Sequence, residues 1–151
     1  MQHHGYPTPI LDWTDSPFVA AFFAFRKVDK INPENVRIYV FDEKAWKKNF
    51  SEVYKMDVSR PYFSIWRFPA IENERVVPQQ AVSTGTNVDD LEPYIIQREG
   101  ESGVPFLWAF DIPGIERTSV MKELAYMGIT AGTLFPGLDG ACEELRERNF
   151  E

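Results

Sequence analysis

The sequence predicts an α+β fold in a single domain spanning residues 1–151, with a mixed or antiparallel sheet and a buried helix. Three observations predict it. Strand-like runs rich in β-branched and aromatic residues are scattered between helical stretches, without the regular alternation of a parallel α/β sheet. The run Phe18 to Phe25 (FVAAFFAF) is apolar on every side, which places a helix there inside a domain and not on its face. The 151 residues contain no repeat, low-complexity tract or linker, and they suffice for one ordinary core.

Taken in order, Gln2 to Ser16 reads as a polar loop stiffened by Gly5, Pro7 and Pro9. Thr14, Asp15 or Ser16 can cap the helix that starts at Pro17, a residue suited to a first helical position, and runs to about Val28. Arg26, Lys27 and Lys30 then complement the negative end of its dipole. Asn32 to Asn35 is a turn, Val36 to Phe41 a strand, and Asp42 caps a short helix to Phe50. Tyr62 to Phe68 and Arg75 to Val82 are further strands, the latter weakened by Pro78. Asp89 to about Arg98 fits an amphipathic helix, with Pro93 weighing against it, and Gly100 to Gly103 a flexible turn. Val104 to Ile112 is a strand of large apolar residues, and Thr118 or Ser119 caps a helix that Gly128 ends. Leu138-Asp139-Gly140, with Asp139 as cap, opens a last helix to about Asn149.

Aromatics make up 15% of the chain, so the core is expected to be built of rings. A net charge of −7 argues against non-specific binding to nucleic acid or to an anionic membrane, both of which call for surplus Lys and Arg. Cys142 is the one cysteine, which excludes an intrachain disulfide and a cysteine-based zinc site; beside Ala141 and Leu145 it is expected to be a buried structural thiol. The eight apolar residues from Phe18 cannot span a bilayer, and the N-terminus does not read as a signal peptide, so a cytoplasmic location is expected.

Three segments concentrate polar groups that a plain core does not need. The first, Gln2 to Pro17, holds His3, His4, Asp12, Thr14 and Ser16 ahead of a helix whose free N–H groups suit a phosphate or carboxylate. The same Asp12, Thr14 and Ser16 can instead satisfy backbone donors in a turn and cap. The second, Glu74 to Gln80, holds Arg75 and the pair Gln79-Gln80. On a strand these glutamines would project to opposite faces, so one at most reaches a given pocket and the other faces water. The third, Leu134 to Gly140, reads by itself as an apolar staple with an Asp cap. No metal site is expected, since the adjacent pair His3-His4 lacks ligand spacing, and phosphate-loop, nucleophile-elbow and zincin motifs are absent.

Several stretches together resemble the FRG domain family. They are Gln2-His3-His4-Gly5, Pro7-Thr8, Leu11-Asp12-Trp13-Thr14, Ser16-Pro17 and Ala20 to Ala24; then Arg75 with Gln79-Gln80; then Lys122-Glu123-Leu124, Met127-Gly128-Ile129 and Leu134 to Gly140. They fall in the family's order across nearly the whole chain. The chain departs from it at Pro9, often Arg in the family, and at Ala81-Val82-Ser83, where Gly and an aromatic usually follow the glutamines. The family's Phe-Arg-Gly element lies upstream of the histidine loop, so the domain is expected to be N-terminally incomplete relative to the family.

The resemblance implies an ADP-ribosyltransferase-like fold in a bacterial or phage defence setting, with NAD as a cofactor or a small nucleotide as ligand. In that picture His3, Asp12, Thr14, Ser16, Arg75, Gln79 and Gln80 line one pocket. Gln79 or Gln80 would take the place of the catalytic acid, yet a glutamine cannot serve as a general base. Three readings therefore stand open: a nucleotide-handling domain, a non-catalytic interaction or regulatory module with an unidentified protein partner, and a truncated remnant without activity of its own.

Overall fold

The computed structural model describes residues 10–53, 59–69, 71 and 73–150. The architecture is α+β, with two small antiparallel sheets and six helices among the described residues. The chain clusters into two compact units. Unit 1 takes residues 10–13, 39–67 and 82–109 of the described chain, and unit 2 residues 14–38, 68–81 and 110–150. Strand β1 (Ile10–Thr14) precedes helix α1 (Pro17–Arg26), followed by β2 (Val36–Phe41), α2 (Glu43–Asn49), β3 (Phe63–Trp66) and β4 (Ala81–Thr86). Then come α3 (Leu91–Ser102), β5 (Leu107–Ile112), α4 (Arg117–Tyr126), α5 (Ala131–Leu134) and α6 (Leu138–Phe150). One sheet has the order β1-β4-β3 and the other pairs β2 with β5.

Unit 1 is assembled around Trp46 of α2. Its indole meets the rings of Phe41, Phe50, Phe63 and Phe106 at centroid distances of 4.6–5.6 Å, edge to face with Phe63 and Phe106 and tilted with Phe41 and Phe50, arrangements that bring ring edges toward π faces. Ile65, Val82 and Ile95 complete this core. The helix that carries Trp46 starts where expected, because the Asp42 carboxylate accepts from the Ala45 N–H at 2.9 Å. Strand β3 pairs antiparallel with β4, Phe63 opposite Thr86 and Trp66 opposite Ser83. Trp13 of β1 donates its indole N–H to Thr84 Oγ1 at 3.0 Å, fixing β1 beside β4.

The outer edge of β3 is covered by the segment after α2. Glu52 Oε2 accepts from the Ile65 N–H at 2.8 Å, Ser64 Oγ accepts from the Val53 N–H at 2.8 Å, and Trp66 donates to the Val53 carbonyl. An open edge is thereby paired with side-chain groups. Burial pushes the Glu52 carboxyl above the usual glutamate range, against the lowering effect of the Ile65 N–H. Its Oε1 is buried with no hydrogen-bond partner among the described residues.

Unit 2 packs α1 against α4 over Val19, Phe22, Leu124, Ala131 and Leu134. Ser16 is the cap of α1, its hydroxyl accepting from the Val19 N–H at 3.3 Å. Gly140 has no room for a side chain, since a Cβ there would overlap the carbonyl of Phe135. The glycine of the Leu138-Asp139-Gly140 run is thus explained by close packing within α5–α6.

Several expectations are corrected. The polar loop contains β1, a strand it shares with the first sheet. Helix α1 is buried on one face only, with Phe18 and Phe23 49% and 43% exposed, because the apolar stripe of Val19, Phe22 and Phe25 already fills the contact with the unit 2 core. Arg75 to Gln80 is a run of turns, and the strand starts at Ala81: Gln79 N–H bonds back to the Arg75 carbonyl, Ala81 N–H to that of Val76, and Pro78 has no N–H for a ladder. Gln80 takes a left-handed φ of 46°, so the opposite-face argument for the two glutamines does not hold.

Pro93 does not interrupt α3, as it falls in the first turn, where N–H groups have no partner within the helix. That helix runs through Gly100 and ends at Gly103, whose left-handed φ of 69° closes it. A 3-10 turn over Gly114–Glu116 leads into α4, so Thr118 and Ser119 sit inside that helix, and Asp139 lies in the first turn of α6. Cys142 is exposed, because its position on α6 faces away from that helix's packed side.

Two outcomes are expected. Trp46→Ala removes the central ring and should cost about 3–5 kcal/mol in chemical denaturation; Trp46→Phe, which also deletes an indole N–H that is buried without a partner, should cost clearly less. A carboxyl whose folded pKa is raised binds its proton more tightly folded than unfolded. Its contribution therefore favours folding at low pH and is lost as pH rises from the ordinary glutamate range through the raised value. Denaturation midpoints followed from pH 4 to 7 should show this slope in the native protein and a flatter one in Glu52→Gln.

Candidate functional site

The polar segments singled out in the sequence converge in unit 2. Strand β1 ends at Thr14, whose hydroxyl donates to the Gln79 carbonyl at 2.7 Å and accepts from the Ser16 N–H at 3.0 Å. The neighbouring Asp15 N–H donates to the Gln80 carbonyl at 3.0 Å. From the other side, Gln79 donates its side-chain amide to the Leu134 carbonyl at 2.9 Å. The carbonyl of Leu134 lies at the end of α5, where helical carbonyls lack partners within the helix. One residue thus ties three segments distant in sequence: its backbone holds the start of α1 and its side chain holds the end of α5.

A ring with two guanidiniums lies beside this knot. Arg75 stands over the face of Phe135 with its guanidinium carbon 5.3 Å from the centroid, and Arg26 over the same ring at 5.0 Å. Phe23 meets Phe135 edge-on at 5.8 Å. Arg26 has carboxylate partners in Glu143 and Glu147, the latter at 2.7 Å from its Nε. Arg75 has no carboxylate partner among the described residues and is half-buried. A planar cation against an aromatic face is held without neutralisation of its charge, so its N–H edges stay available to an anion.

Of the seven expected site residues, the structure brings together Thr14, Ser16, Arg75, Gln79 and Gln80. Asp12 is exposed on β1 in unit 1. His3 lies outside the described residues. The residues that the sequence reading left out of the site are Phe135, Leu134 and Arg26. Phe135 and Leu134 belonged to a segment already set apart, so their presence there was the available signal; Arg26 was read as a helix-end cation, and the acidic spacing Glu143, Glu147 on α6 is what draws it away.

The chemistry open to this cluster is limited. Thr14 is spent as a donor on a carbonyl, the Ser16 hydroxyl on capping, and the Gln79 amide N–H on another carbonyl. Thr14 thereby uses its one hydroxyl proton on a backbone carbonyl, whereas the Ser16 hydroxyl caps as an acceptor and keeps its own proton, and the Gln79 amide keeps a second N–H. Of the residues that the dinucleotide reading calls on, Arg75 is a cation without a carboxylate partner among the described residues, and His3 lies outside them. Among the described residues no group of His, Cys, Asp and Glu is arranged to hold a metal ion, and no helix is long and apolar enough to cross a membrane.

Residues 1–32 match the family described as FRG domain, a stretch that takes in the histidine loop, β1 and α1. No curated protein and no solved structure matches the chain.

Gln79→Ala should leave the Leu134 carbonyl without its donor and cost about 1–3 kcal/mol in denaturant titration. Gln79→Glu sets an anion against that carbonyl and should cost more at pH 7 than at pH 4, where the protonated acid can donate. Unchanged stability in both variants would show that the amide is not a structural tie.

Proposed function

We propose that this chain, whose first 32 residues carry the FRG domain signature, is a single non-catalytic interaction module. In this reading the polar signature residues shape a binding surface and do not react. The observation that carries the proposal is the use of the side chains: Thr14, Ser16 and Gln79 are each bonded to backbone groups. A general acid or base has to reach a substrate proton, and a group already committed to a backbone partner gives that up. The matching of Arg75, Gln79-Gln80 and Leu134 to Gly140 to the later family segments belongs to the same proposal, since these are the pieces that the tie at Gln79 holds together. The partner is a protein, and the setting is cytoplasmic.

One observation favours a second reading, in which the domain handles a nucleotide such as NAD on an ADP-ribosyltransferase-like fold. It is the guanidinium of Arg75, stacked on Phe135 with no acidic partner among the described residues. The two readings part in solution. The protein is incubated with NAD, nicotinamide release is followed, and melting is recorded with NAD and ADP-ribose over a wide concentration range. The interaction module should release no nicotinamide and melt cooperatively at an unchanged temperature. A saturable stabilisation, near 2.7 kcal/mol at about a hundred times Kd, that disappears in Arg75→Ala would replace it with the nucleotide reading.

A further inference from the structure

At the far end of α1 from the Ser16 cap, about 15 Å away along a ten-residue helix, unit 2 has an open groove of about 700 Å³. Its size is that of sites for small molecules. Five cationic side chains line it, Arg26, Lys27, Lys30, Arg117 and Arg146, against three acidic ones, a surplus of two positive charges in a chain whose net charge is −7. The acids are committed. Glu147 and Glu143 both hold Arg26, and Glu143 also lies 3.9 Å from Arg146. Asp29 Oδ1 accepts from the Ile31 N–H at 2.8 Å, closing its own turn.

The cations are divided between framework and mouth. Arg26 is nearly buried, with 13% of its side chain exposed, and Arg117 donates to the Arg26 carbonyl at 3.2 Å, so the last turn of α1 is already satisfied by a neighbouring guanidinium. Lys27 and Lys30 are therefore not required for the helix end. Both are exposed, and neither forms an ion pair among the described residues. Two exposed ammonium groups three residues apart, on a turn shaped by Asp29 and Ile31, can both turn toward one anion.

We propose that this groove binds a small phosphorylated compound, with Lys27 and Lys30 clamping its phosphates and Val28 and Ile31 meeting its less polar part. The site is separate from the tie at Gln79 and does not depend on the function proposed above. Its ligand class follows from charge: Lys27 and Lys30 are exposed and form no ion pair among the described residues, and a phosphate is the anion that two ammonium groups can share.

The test is binding of inorganic pyrophosphate to the whole chain, followed by two-dimensional NMR on labelled protein in buffers held at one ionic strength with sodium chloride. Saturable shifts at Lys27, Lys30 and Arg146 are expected. In Lys27→Glu/Lys30→Glu the affinity should fall about tenfold or more while the melting temperature without ligand stays the same, both residues being exposed. Arg75→Ala should bind as tightly as the native protein. The proposal is overturned if pyrophosphate gives no saturable shifts, if sodium chloride alone reproduces them, or if the double variant binds equally well.

Discussion

Unit 2 depends on one constraint: the turns from Glu74 to Gln80 satisfy only part of their own backbone, and the carbonyls of Gln79 and Gln80 are met from outside. Pro78 has no N–H, Gln80 is turned into a left-handed conformation, and the carbonyls of Gln79 and Gln80 face outward from the turn. Leaving such groups unpaired in a packed interior costs more than any single hydrogen bond returns. The Thr14 hydroxyl and the Asp15 N–H meet both carbonyls, and this sets where β1 ends and how the chain turns into α1. The Ser16 cap follows two residues later because the Thr14 oxygen also receives the Ser16 N–H. In the other direction the same turn reaches α5 through the Gln79 amide. The order of the signature segments in the chain is thus also an order of dependence.

The apolar side of unit 2 is coupled to this arrangement through Phe135. Its ring is pressed between Phe23 of α1 and two guanidiniums, and the carbonyl of the same residue is what excludes a side chain at Gly140. Arg26 is the point at which these contacts meet the ionic ones, with Phe22 and Phe135 under its plane and Glu143 and Glu147 at its edge. A lysine could satisfy the charges and not the stacking, which is why the planar cation suits the position. Unit 1 is held by rings around Trp46, with polar ties at the edge of β3, between Trp13 and Thr84, between Thr86 and the Tyr62 carbonyl, and at Glu99, which accepts from the N–H groups of Phe106 and Leu107.

Much of the local structure was legible in the sequence where one signal dominated. Val36 to Phe41 is a strand because β-branched and aromatic residues fill it, and α2 begins at Asp42 because a carboxylate there has a backbone donor to meet. The errors occur where two signals compete. In Arg75 to Val82 the β-branched pair Val76-Val77 outweighed Pro78, whereas in the fold the missing N–H decides. Strand β4 starts six residues later and ends four later than the Arg75 to Val82 that the sequence suggests, because pairing with β3 draws Ser83, Thr84 and Gly85 into the sheet. Helix α1 was read as buried all round, since a sequence states how apolar a face is and not whether a partner covers it. For the site, the residue types and their three segments were legible. Which atoms they spend on one another was not, because that is settled by the tertiary approach of Thr14, Gln79 and Leu134 across 55 and 65 positions of chain.

A cluster of neutral polar residues at a helix start has two physical explanations. Threonine, serine and glutamine at a helix start invite a catalytic reading because they are the groups that enzymes use. They are equally the groups that can satisfy a backbone without carrying charge, and the cost of an unpaired carbonyl places a strong demand on them. In unit 2 that demand is met first, and what remains over is cationic: Arg75 on its ring, and Lys27 and Lys30 beyond the other end of α1. A group of cations without acidic partners can keep a local field able to attract anions in a protein of negative net charge. Recognition by charge at these positions is consistent with a scaffold whose neutral polar groups are already engaged in holding it together.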